Sequence, residues 1–185
     1  MPRTIVKFLA IASIAILTAS CGQGDASAAA KKELEKFYGD FETLLNSEAF
    51  PKDPSPGLVF FDDQTILFEV SEPERYVGEA FKKHFMEIAS QSPAKIEISE
   101  LNITTSSDGK MAFVNFIQRA YGTWHDGTKF DSRWRTTDGL LKKDGKWKIV
   151  HEHNSIPLDE KTLLAVMTKG MTPPAPQPAE KPAEQ

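Results

Sequence analysis

Three Asp-Gly turns in the second half of the chain limit the fold more than any other feature. Ser107-Asp108-Gly109, His125-Asp126-Gly127-Thr128 and Lys143-Asp144-Gly145-Lys146 separate four runs: 95–105, 111–124, 130–142 and 147–155. Each run is rich in β-branched and aromatic residues, which suit a pleated, half-buried surface. Asp-Gly favours hairpins because glycine accepts positive φ without steric penalty. Three such turns in succession predict an antiparallel meander that must cover one apolar face.

Two amphipathic helices precede the meander and supply that cover. Over 30–46, Leu34, Phe37, Phe41, Leu44 and Leu45 recur at helical spacing. Over 77–90, Val77, Phe81, Phe85 and Ile88 do the same, with Ser71-Glu72-Pro73-Glu74 placed to introduce the helix. Between them, after Pro51, Pro54 and Pro56, two apolar runs, 58–61 and 65–70, flank Asp62-Asp63-Gln64 and predict a short hairpin. A terminal helix is expected over 158–168, with Asp159 as cap and Gly170 as stop. Helices followed by an antiparallel sheet give an α+β class, with the helices packed on one face.

The ends of the chain have a different composition. Residues 1–7 (MPRTIVK) are basic, 8–17 (FLAIASIAIL) are apolar or small, and small residues then lead to Cys21. A basic start, a short apolar core and a small-residue site describe a secretory leader. Ten residues are too few for an ordinary transmembrane helix, which needs about 20. Leu17-Thr18-Ala19-Ser20-Cys21 resembles the lipobox of bacterial lipoproteins, with Thr18 a departure from the usual leucine. The resemblance implies cleavage before Cys21, a palmitate-bearing lipid on this single cysteine, and a membrane-anchored protein of the cell envelope. Gly22, rather than aspartate, resembles the outer-membrane, periplasm-facing sorting pattern of Gram-negative lipoproteins.

The expected organisation is a signal peptide over 1–20, a lipidated tether over 21–29, a domain over 30–170 and a disordered Pro-rich tail over 171–185. Residues 1–20 hold two of the 22 Lys+Arg and no acid, so the remainder carries 20 basic against 26 acidic groups. That balance argues against a nucleic-acid partner, which calls for a basic footprint. A single cysteine also excludes an intrachain disulfide.

The segment RTTDGLLKKDGKWKIVHEHNSIP, Arg135 to Pro157, resembles the end of SnoaL-like domains of the nuclear transport factor 2-like superfamily: Arg-x-Thr, an Asp-Gly hairpin, then Trp-x-Ile-Val-His-x-His-x-Ser. The association domain of calmodulin-dependent kinases ends similarly. Gly78-Glu79-Ala80 through His84-Phe85 is similar to the family's second-helix motif, and with the order of elements the resemblance spans about residues 30–157. It implies a cone, a curved antiparallel sheet wrapped over helices with a pocket between, and a homodimer formed through the sheet. Members include isomerases, cyclases, dehydratases and oligomerisation hubs, so the fold does not settle the function.

Strand periodicity puts Trp147, Ile149, His151 and His153 on one face and Lys148, Val150, Glu152 and Asn154 on the other. Trp147 and Ile149 suit a core, so the imidazoles are expected to look into the cone. A three-residue loop at Lys143-Asp144-Gly145 would set Arg135 opposite His153 and Thr137 opposite His151. A two-residue Asp144-Gly145 turn would instead set Asp138 opposite His151. The Arg-x-Thr resemblance favours the first register. The candidate ligand-binding set is therefore Tyr38, Gln118, Arg135, Thr137, His151 and His153, with Gln118 roughly where the kinase association domain has a pocket arginine. Arg135 suits a carboxylate. His151 and His153 are also the candidate acid/base pair, and a structural role for them competes with both functions.

No third metal ligand accompanies the histidines, so no metal or cofactor is expected. Asp62, Asp63 and Asp138 are candidate bases for isomerase chemistry, while nucleophile-elbow, phosphate-loop and metalloprotease motifs are absent from the sequence. The sequence thus leads to an anchored module binding a small polar or carboxylated molecule. A small isomerase or hydrolase, or an envelope scaffold using the tail, are its alternatives. Trp124, Phe130 and Trp134 are candidates for the dimer interface.

Overall fold

A computed structural model describes residues 21–70, 74–91, 94–124, 126–159 and 161. Helix α1 (Cys21–Leu45) is followed by a 3-10 helix (Ser55–Phe60), β1 (Phe61–Phe68), β2 (Arg75–Val77), α2 (Glu79–Gln91), β3 (Lys95–Thr105), β4 (Met111–Thr123), β5 (Lys129–Lys143) and β6 (Lys146–Ser155). The six strands form one sheet in the order β2-β1-β6-β5-β4-β3. The meander β3-β4-β5-β6 is antiparallel as expected, but β1 joins β6 in parallel, so the sheet is mixed.

The stripe on α1 is buried as its spacing predicts. Ala30, Leu34, Tyr38 and Phe41 meet Val114, Phe116, Leu140, Trp147 and Ile149 of the sheet in one core with Phe61, Leu67 and Phe81. Helix α1 starts earlier than expected, so 22–29 is helical rather than an extended tether. Small residues let it lie close to the β3-β4 turn, where Ser27 Oγ is 2.7 Å from Thr105 Oγ1. At the other end Asn46 and Glu42 act on the edge strand: Asn46 Oδ1 accepts from Ile96 N at 2.9 Å and Glu42 Oε1 from Ile98 N at 3.0 Å. These bonds satisfy backbone groups that an edge strand otherwise offers to another chain.

The expected hairpin over 58–70 is not formed. Pro54 and Pro56 with Gly57 start a 3-10 turn, and Leu58 and Phe60 turn into the core. β1 then pairs with β2, whose Val77 belongs to a strand, and α2 begins at Glu79. One compact unit runs through Ser155, and the chain from Ile156 forms another. The leader over 1–20 and the tail over 171–185 lie outside the described residues, as does most of the helix expected over 158–168.

Candidate functional site

The last hairpin decides which side chains enter the cone. Asp144 and Gly145 both have positive φ, 50° and 76°, and Lys143 pairs with Lys146. This is the two-residue turn that Asp-Gly favours. The pairing holds through Leu140 with Ile149, and the next pair is Gly139 with His151. Val150 is therefore an extra residue, a β-bulge in β6. Beyond it Asp138 pairs with Glu152, Thr137 with His153 and Arg135 with Ser155. The register of the two-residue turn thus holds as far as Leu140–Ile149, but the bulge sets Gly139 rather than Asp138 or Thr137 opposite His151.

The bulge also turns over the faces of β6. Trp147 and Ile149 are buried, at 6% and 0% exposure. Strict alternation would bring His151 and His153 in after them. Instead Glu152 and Asn154 share the face of Asp138 and Thr136, each opposite the other across β5 and β6. Thr65 holds the distortion in place, its Oγ donating to the Ile149 carbonyl at 2.7 Å from a fully buried position.

The inward face beyond the core is consequently acidic. Asp138 and Tyr38 are 1% and 2% exposed, and Tyr38 Oη donates to Asp138 Oδ2 at 2.6 Å. Asp138 Oδ1 is buried and has no hydrogen-bond partner among the described residues. Asn154 Nδ2 donates to Glu152 Oε1 at 2.7 Å, and Thr136 Oγ1 donates to Asn154 Oδ1 at 2.6 Å. Burial first, then the charge of Glu152, pushes the Asp138 carboxyl well above the usual aspartate range, while the Tyr38 hydrogen bond pulls it down. Burial also raises Glu152, with Asn154 opposing and the charge of Glu69 adding to the rise. Tyr38 is held well above 10 by burial and by Asp138, so it keeps its proton as a donor.

Two of the six expected ligand-binding residues, Tyr38 and Gln118, share this face. Gln118 pairs with Trp134 one step beyond the Phe116–Thr136 pair, and both are half-buried where the inward face reaches the surface. Arg135, Thr137, His151 and His153 lie on the opposite face. Arg135 and His153 are exposed, and Thr137 accepts from Asn115 Nδ2 at 2.9 Å. The Phe68 ring is 5.8 Å from each imidazole ring. His151 is half-buried, and burial followed by the nearby His153 lowers its pKa.

The expectation that both imidazoles look into the cone fails because one inserted residue reverses the alternation. Glu152, assigned by periodicity to the outside, is the residue sequence reasoning missed. Asp138 was legible as a candidate base, and its phase with buried Leu140 points it inward. Asp62 instead accepts from the Gln64 backbone N–H within β1 and binds Lys143 at 2.5 Å, and Asp63 pairs with Lys82 at 2.9 Å. Trp124 stacks on Phe130 at 4.4 Å near the end of the β4-β5 hairpin, whereas Trp134 faces inward. Among the described residues, no group of three or more His, Cys, Asp or Glu side chains is arranged to hold a metal ion.

Solved structures share this architecture at low identity. An NTF2-like protein of unknown function from Pseudomonas putida KT2440 is 22% identical with a TM-score of 0.60, covering 74% of this chain and 92% of that one. The association domain of C. elegans CaMKII is 17% identical with a TM-score of 0.56, covering 71% and 99%. A protein from Novosphingobium aromaticivorans provisionally named a scytalone dehydratase is 17% identical with a TM-score of 0.62, covering 73% and 89%. A comparison with curated proteins finds no match. The family model for the SnoaL-like domain matches residues 58–159, more than half of the sequence, and the chain belongs to that family.

Proposed function

We propose that this protein is a lipid-anchored envelope protein whose SnoaL-like domain holds a small polar molecule inside its cone. The observation that carries the binding role is the orphaned Asp138 Oδ1, enclosed with Tyr38 on one side and Glu152 across the sheet. A buried polar atom without a partner costs about 1–3 kcal/mol, and a ligand donor at that position offsets the cost. Half-buried Gln118, Trp134 and Asn154 continue the same face toward solvent. A carboxylated ligand fits poorly, because Arg135 lies on the other face and the inward charges are acidic.

The test is thermal unfolding in a panel of hydroxyl-, amide- and amine-bearing metabolites. Ligands should raise the melting temperature of the wild type and of Arg135→Ala, but not of Asp138→Asn. Stabilisation that follows Arg135 instead would overturn the assignment.

Anchoring rests on the leader-like residues 1–20 and on Cys21. Labelled palmitate should enter the wild type and not Cys21→Ser. Dimerisation through the sheet rests on the outward apolar residues of β4, with Met111 and Phe113 half exposed at 50% and 54%. Phe113→Asp should then sediment as a monomer where the wild type is a dimer.

A second reading follows from the same carboxyl. An acid with a raised pKa, hydrogen-bonded to a tyrosine in apolar surroundings, suits proton transfer. In that case Asp138 and Glu152 replace His151 and His153 as the acid/base pair, and Asp138→Asn abolishes turnover while remaining folded.

A further inference from the structure

The molecule held in the cone has a definite charge, a conclusion that rests on the small-molecule binding proposed above. We infer that it is a cation, a protonated amine whose N–H groups are received by Asp138 and Glu152.

The first support is the unpartnered oxygen. Asp138 is 1% exposed, its Oδ2 is satisfied by Tyr38, and among the described residues its Oδ1 accepts from nothing. When Asp138 is ionised it only accepts hydrogen bonds, so the group its Oδ1 lacks in that state is a donor. The second is the sign of the surrounding charge. Glu152 stands directly opposite Asp138 on the neighbouring strand, and Glu69, just past the end of β1, adds its field to Glu152. The charges acting on this pair are other carboxylates. Lys142 is in phase with Asp138 along β5, but it lies toward the Lys143–Lys146 turn and is bound to Glu33 at 2.5 Å, over the Trp147 ring. A neutral donor would satisfy Oδ1 but leave the repulsion between the carboxylates, whereas an ammonium group offsets both.

The third support is the wall. Tyr38 packs edge-on to Phe116 with ring centroids at 5.2 Å and to Phe37 at 5.3 Å, and Trp134 lies on the same sheet face. Aromatic rings on the face that carries the carboxylates would accommodate an apolar substituent on a cation, and a ring face turned toward the ammonium group would attract it. Without a ligand, burial and the mutual repulsion of the two acids favour a proton on the pair. The groups that set this balance are Tyr38 on α1, Glu152 on β6 and Glu69 after β1. An entering ammonium ion displaces such a proton to the buffer, so charge is conserved.

The experiment titrates the full chain in detergent with three probes of one shape: benzylamine, benzyl alcohol and benzoate. Calorimetry near pH 7 in two buffers of different ionisation enthalpy measures affinity and proton release together. Benzylamine should bind at least about tenfold more tightly than benzyl alcohol, benzoate should not bind, and the benzylamine heat should report proton release. Asp138→Asn and Glu152→Gln should each weaken benzylamine by about tenfold or more, and by a larger factor than they weaken benzyl alcohol. The wild-type comparison keeps the test valid if either variant fails to fold. Benzyl alcohol or benzoate binding as tightly as benzylamine would overturn the cation while leaving a small-molecule site. Binding of none of the three would remove both.

Discussion

Replacing Tyr38 by phenylalanine isolates the hydrogen bond at the centre of the candidate site. The ring keeps its edge contacts with Phe37 and Phe116, at 5.3 and 5.2 Å, so little packing is lost. What disappears is the 2.6 Å donation to Asp138 Oδ2, leaving both oxygens of a buried carboxyl without partners. A hydrogen bond to an ionised group contributes about 1.5–3 kcal/mol and one to a neutral group about 0.5–1.5 kcal/mol. The cost of Tyr38→Phe should therefore depend on pH. It is about 1 kcal/mol where Asp138 is protonated and about 2 kcal/mol where it is ionised. Tyr38 itself stays protonated across this range, because its own pKa is raised.

Urea or thermal melts followed by circular dichroism, at one acidic and one basic pH, read the difference. For a domain of this size each kcal/mol moves the melting temperature by roughly 3–5 °C. The expected loss is thus about 3–5 °C in acid and about 6–10 °C in base. In an Asp138→Asn background, where the amide oxygen still accepts from Tyr38 but cannot ionise, the pH dependence should vanish. A cost that is the same at both pH values in the wild-type background would show that the tyrosine does not act on a titrating Asp138.

Asp138→Asn alone should gain stability relative to the wild type as pH rises. A raised native pKa contributes stability in full below the unfolded value of about 3.9 and loses it as pH climbs through the native pKa, at about 1.4 kcal/mol per unit of displacement; paired melts over that range read the difference. Thr65→Val removes the donor to the Ile149 carbonyl at the bulge and should cost about 1–3 kcal/mol, with amide exchange increasing first around 149–152. Gly109→Ala should destabilise by about 1–3 kcal/mol in the same melts. Gly109 has φ of +65°, and a Cβ there would lie 2.7 Å from the Ala26 carbonyl oxygen.

Much of this protein can be read locally. The Asp-Gly turns give the meander, because glycine accepts their backbone angles whatever surrounds them. The 3.6-residue stripe of α1 gives its buried face, since Leu34 and Phe41 require cover in any fold. The segment from Arg135 to Pro157 carries the family motif. The hydrophobic phase of β5 turns Asp138 inward with Leu140.

Tertiary contact alone decides the remainder. The bulge at Val150 is held through the Ile149 carbonyl by Thr65, 84 positions from Ile149, and by a parallel neighbour in β1 that no turn signal announces. Period-two alternation is a property of an unbroken strand, and one inserted residue reverses it for all that follows. That reversal moves His151 and His153 outward and brings Glu152 beside Asp138. A carboxylate-binding pocket expected from the sequence thereby becomes an acidic one. The chain's local chemistry specifies its elements and their turns, while the charge of its interior depends on where one strand breaks step against another.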